Sequence, residues 1–150
     1  MRDLGVRGVP ATRQGRLDDP LWWPTLTGYV ADMQAAWLAY LTAGRARHPR
    51  LRVVFSMLAG LAPLHAERLI SRGAPTPQLS DPLVFYETSS YGPATVGLLQ
   101  DAVGAQQVLF GSDRPVVEPG ALGMPAALDW DPIVDGTNRA LGAARAIASL

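Results

Sequence analysis

The chain has 150 residues and a formal net charge of zero, with 13 basic and 13 acidic side chains, so no net field argues for nucleic acid, an anionic membrane or a basic partner. Cysteine is absent, which excludes disulfides, thiolate zinc sites and thiol nucleophiles and leaves His, Asp, Glu and hydroxyls to carry chemistry. A chain of this length fits one domain and can bury most of the surface that its unfolded form exposes.

Residues 1–20 are rich in Arg, Gly, Pro and Asp and read as an irregular N-terminal segment with a weak strand at Val6–Val9. They contain no apolar run resembling a signal peptide, and no later stretch reaches the length of a membrane span. A cytoplasmic location without membrane contact is expected. Residues 21–150 read as a single α/β domain. From Pro24, apolar side chains recur at Leu26, Tyr29, Val30, Met33, Trp37, Tyr40 and Leu41, the period of a helix, with Gly44 as the expected stop. Trp22 and Trp23 read as core or interface anchors. Leu51–Leu58 reads as a strand, and Pro63 opens a helix that closes at Gly73.

The unit repeats. Leu83–Glu87 reads as a strand, Pro93–Val103 as a helix ended by Gly104, and Gln107–Phe110 as a third strand whose Val108, Leu109 and Phe110 are buried. A Pro/Gly-rich stretch, 115–136, precedes an Ala-rich helix from about Thr137 to Ser149. Strands alternate with helices and are short apolar runs of the kind covered on both faces, so three adjacent parallel strands are expected.

In parallel sheets, binding groups gather beyond the carboxyl ends of the strands. Met57, Glu87 and Asp113 stand there, whereas His48 precedes a strand and falls on the opposite rim. His65 lies on the strand-to-helix side and is a candidate for the site. Glu87 is followed by Thr88, Ser89, Ser90 and Tyr91, a hydroxyl-rich loop suited to orienting a polar substrate. Ser90 reads equally well as the N-cap of the next helix. An ionised Asp113 at the tip of a greasy strand is costly to bury unless a charge or hydrogen-bond donor meets it, and Arg114 is the adjacent cation.

Three segments, LRVVFSMLAGLAPLHAERL (51–69), VFYETSSYGP (84–93) and VLFGSDRP (108–115), taken together resemble the last three strands of the amidohydrolase-related family of TIM-barrel metal-dependent hydrolases and decarboxylases. The resemblance implies a partial TIM barrel, the last three or four strands of a (β/α)8 fold, since a whole barrel takes ~250 residues. It implies Asp113 as metal ligand and proton acceptor; His65, by its place on the strand-to-helix side, is the candidate for a second catalytic residue. Glu87, Ser89, Ser90, Tyr91 and Arg114 are the expected substrate contacts. A divalent metal, zinc or similar, is implied as cofactor and a small molecule as substrate, with no nucleic acid among the partners. The family's first-strand His-x-His pair has no counterpart here, and Met57 stands where Ala-His-x-Gly supplies a histidine, so the metal is an implication that the chain's own donors do not complete. A half barrel leaves a sheet edge and inner face to be covered, by a homo-oligomer or by a missing barrel half. The alternative reading is a non-catalytic α/β module that oligomerises or binds a partner.

Overall fold

A computed structural model describes residues 23–89, 91–113 and 130–141. The N-terminal segment with its weak strand, together with Trp22, Ser90, Arg114 and the far end of the expected last helix, lies outside the described residues. Helices α1 (Trp23–Leu26) and α2 (Gly28–Ala39) are followed by a π-turn, Tyr40–Gly44, and α3 (Arg45–Arg47). Strand β1 (Val53–Phe55) leads through a turn region, Ser56–His65, into α4 (Ala66–Ser71). Strand β2 (Val84–Glu87), α5 (Pro93–Val103), strand β3 (Val108–Leu109) and α6 (Trp130–Leu141) complete the order. The three strands form one parallel sheet in the order β1-β2-β3, with Phe55 beside Tyr86 and Tyr86 beside Val108. Short crossovers account for this order of neighbours.

Side chains alternate between the two faces of a strand. Phe55, Val84, Tyr86 and Val108 share the face covered by Trp37 of α2 and by Val96, Leu99 and Val103 of α5, and all of these belong to the buried core. The α5 positions follow the helical period. That helix starts on a proline and ends at Gly104, whose φ of 101° is open to glycine alone at low cost. Phe55 stacks on Tyr86 at 6.1 Å between ring centroids and meets Tyr40 edge-on at 5.7 Å. Val54, Phe85, Glu87 and Leu109 point to the other face by the same alternation.

The buried Trp37 Nε1–H donates to Tyr86 Oη at 3.1 Å. Burial is the main cause that pushes the Tyr86 phenol up to about 12 from its ordinary 10.0, while the Trp37 hydrogen bond opposes the shift. Below the unfolded pKa both states are protonated and the contribution is intact. Above it the unfolded chain ionises first and stability falls until the folded phenol also titrates. Urea midpoints measured from about pH 9 to pH 12 are expected to lose about 3 kcal/mol that Tyr86→Phe does not lose.

The amino ends of the strands are held by Arg45. Its Nε meets Asp81 Oδ2 at 2.6 Å, and its Nη1 donates to the carbonyls of His48, Pro49 and Leu51. Asp81 also accepts from Leu83 N–H at 2.9 Å, and Gln107 Nε2 donates to the Asp81 carbonyl at 2.7 Å. Arg45 thus ties together the starts of β1 and β2, and Gln107 joins the start of β3 to the same Asp81. His48 belongs to this rim.

Several boundaries differ from the sequence expectation. The first helical stretch does not stop at Gly44 but runs through it to Arg47. A side chain at Gly44 would strike the Tyr40 ring, so this glycine makes room for an aromatic and does not end a helix. Strand β1 is shorter than Leu51–Leu58 because the chain turns left-handed directly after Ser56. Met57, Leu58, Ala59, Gly60 and Leu61 have φ of 49°, 50°, 55°, 58° and 63°. Phe110 is not buried but 45% exposed, since β3 ends at Leu109. Trp23 is exposed too, so it is no core anchor. The last helix begins at Trp130, ahead of Thr137, with Pro132 in its first turn, a position where the missing amide costs nothing.

The left-handed run is expensive for four residues with a Cβ, about 1–2 kcal/mol each. Leu58 and Ala59 are completely buried, and Gln34 Nε2 of α2 donates to the Gly60 carbonyl at 2.8 Å. Packing on α2 therefore offsets what the backbone conformation costs.

Candidate functional site at the carboxyl ends of the strands

Glu87 is the last residue of β2 and projects on the face opposite the helical core. Its Oε1 accepts the Ser89 N–H at 2.6 Å and the Ser89 hydroxyl, while Oε2 accepts the Met57 N–H at 3.3 Å. Three of the roughly four acceptor positions of a carboxylate are thereby taken. The left-handed turn after β1 supplies one of these donors and the loop after β2 supplies the others. A Cβ added at Gly111 would land on the Glu87 carboxylate, so glycine at the head of Gly-Ser-Asp is a steric necessity. Thr88 completes the connection. Its N–H donates to the Leu109 carbonyl at 3.0 Å and its Oγ1 accepts the Gly111 N–H at 3.1 Å.

Glu87 therefore acts as a strut between the ends of β1 and β2, and Thr88 splices β2 to the loop after β3. Asp113 is half-buried, with φ of 56°, a left-handed conformation in which Asp is one of the few residues found. Its Cα lies within about 7 Å of Gly111 by chain reach alone. The rim thus brings together Met57, Glu87, Thr88, Ser89 and Gly111, and delivers Asp113 to their side.

The other sequence candidates lie differently. His65 is exposed at the start of α4. Tyr91 donates its N–H to the Thr88 carbonyl at 3.0 Å and packs against the helix-side core, where burial pushes its phenol up. Ser89 is buried and turned onto Glu87. Sequence reasoning placed Met57 and Thr88 at this rim but missed the Met57 amide as a donor to Glu87, the Thr88 link to the loop after β3 and the steric role of Gly111. Gly111 had a visible signal, because a glycine between a strand and an acid marks close approach of backbone to something.

The described residues do not fit a divalent metal. No group of three or more His, Asp or Glu side chains among them could hold one, and three protein ligands are the ordinary requirement at a catalytic zinc. The Glu87 oxygens are already committed to N–H and O–H donors, Met57 contributes its amide, and His65 faces solvent. No described helix is long and apolar enough to cross a membrane.

No protein-family profile matches the chain, and no curated protein sequence does either. Solved structures do. The chain is similar to 5-carboxyvanillate decarboxylase LigW from Sphingomonas paucimobilis with a TM-score of 0.65 and 18% identity, over 89% of this chain and 45% of that one. It is also similar to the IDCase of Metarhizium anisopliae in apo form, with a TM-score of 0.54 and 19% identity, over 79% of this chain and 35% of that one. The chain thus spans less than half the length of either structure. With three parallel strands and intervening helices, it has the fold of part of a TIM barrel, the part it shares with these two structures.

Proposed function

We propose that this chain carries the acid-bearing part of a small-molecule site of the amidohydrolase type, serving hydrolysis of a C–N or C–O bond or loss of carbon dioxide from a small acid. Asp113 is the proton-handling side chain in this reading. The observation that supports it is the fixing of the loop from which Asp113 projects: Thr88 holds the Gly111 amide, and Gly111 lies against Glu87. A carboxylate that must give or take a proton at one atom gains from a rigid support, and Glu87, tied to three donors, is that support and not a second acid. Ser89 spends its hydroxyl proton on Glu87 and retains acceptor capacity for a donor on the substrate. No step is routed through a metal, because the described donors do not make a site for one.

The test is turnover of a panel of aromatic carboxylates, amides and esters by the wild-type chain and by Asp113→Asn, an isosteric change that removes the titrating oxygen. A drop of at least ~100-fold is expected from the loss of a general acid or base. Equal rates in the two proteins would remove Asp113 from the chemistry. The second reading, a module that binds a partner, draws on β1, which is an edge strand among the described residues and leaves Val54 49% exposed.

A further inference from the structure

The two edges of the sheet differ. Along a strand, the N–H and C=O of successive residues point to alternate sides. The Leu109 carbonyl accepts the Thr88 N–H from β2, so the Val108 carbonyl points the other way, out from the free side of β3, next to the 3-10 turn Ala105–Gln107 that leads into the strand. Helix α6 lies there. A Cβ at Gly136 would come within 2.5 Å of the Gln106 carbonyl oxygen and 3.0 Å of the Val108 carbonyl oxygen, so only glycine lets the helix approach this closely. Arg139 Nη1 on the same helix donates to Gln106 Oε1 at 2.6 Å. The Val108 N–H, the donor that a further strand would need, is already given to the Ala105 carbonyl.

The β1 edge has the complementary character. Val53 N–H donates to the Leu83 carbonyl on the β2 side, so the Val54 N–H and C=O point outward from a strand with no described neighbour beyond it. The Val54 N–H on β1 and the Val108 carbonyl on β3 are the two halves of a parallel pairing. Two copies of the chain would also supply about the length of the LigW fold, of which one copy spans 45%.

We infer that α6 is a displaceable seal on β3, and that the edge beneath it accepts β1 of a second copy of this chain, with the Val54 N–H donating to the Val108 carbonyl. Docked, α6 keeps the chain single; lifted, it exposes an acceptor edge that the β1 edge of another copy matches. The inference rests on the sheet geometry and is independent of any catalysis by Asp113.

The absence of cysteine makes a clean test available. Gly136→Val pushes α6 off the edge, and sedimentation of the full chain reads the mass. Wild type is expected at the mass of one copy, and Gly136→Val at twice that mass as concentration rises. Cysteines placed at 106 and 139 and joined by a short bismaleimide in the Gly136→Val chain hold the helix down, and this is expected to restore the single mass. Should Gly136→Val fail to fold by circular dichroism, Gly136→Ala, which adds one methyl, takes its place. A folded Gly136 variant that stays single at every concentration overturns the inference. So does association that survives the cross-link, since it then uses another surface, and so does failure of the two cysteines to join in the folded chain.

Discussion

Gly111→Ala is expected to destabilise the chain by about 3–5 kcal/mol, because its new methyl group would occupy the place of the Glu87 carboxylate and leave buried donors unpaired. The clash involves the head of a side chain that cannot retreat without releasing Ser89 and Met57. Chemical denaturation measures the loss. The companion Gly111→Ala/Glu87→Ala removes the obstacle, and its stability is expected to match Glu87→Ala alone within about 0.5 kcal/mol. Additive losses in that double variant would show that Gly111 answers to something other than the carboxylate.

The second large effect belongs to Gly60→Ala, with an expected loss of roughly 2–4 kcal/mol from a left-handed alanine and a forced contact. A Cβ there would stand 2.8 Å from the Val30 carbonyl oxygen and 3.2 Å from Met33 Cβ, both on α2. Neither can give way without moving the helix. Urea unfolding of Gly60→Ala beside Gly73→Ala separates conformation from crowding. Gly73 also has positive φ, at 86°, but nothing lies within 4 Å of an added Cβ. Gly73→Ala should therefore lose only the conformational part, and equal losses at the two glycines would refute the close approach to α2.

The parts of this fold that were legible in the sequence are those governed by neighbours in the chain. The bounds Pro93–Val103 could be read because a proline opens the helix, a glycine closes it, and Val96, Leu99 and Val103 repeat at its period. The parallel order of the strands followed from their short apolar runs between helices. The left-handed turn was hidden because Ser-Met-Leu-Ala-Gly-Leu contains one glycine where five residues adopt positive φ. Its cause lies in α2, 26 residues away at Gln34.

At the rim, Glu87 and Asp113 stood out as charged strand ends, yet nothing local distinguishes an acid that supports from one that could react. The distinction comes from the Met57 amide, Ser89 and Gly111, two of which belong to other strand-end loops. The role of Gly136 was hidden for a similar reason. In a stretch dense with Gly and Pro it read as part of a loop, and its contact is with carbonyls some thirty residues earlier.

The left-handed run also bears on the order in which the chain assembles. An isolated Met-Leu-Ala-Gly-Leu segment prefers other conformations by several kcal/mol, so it cannot nucleate and has no reason to form before α2 is in place to receive Leu58 and Ala59. The Met57 N–H reaches Glu87 only from this turn. The native geometry of the carboxyl rim therefore depends on the docking of α2. A substitution that loosens α2, far from Glu87 in sequence, is thus expected to disturb the rim through the turn it supports.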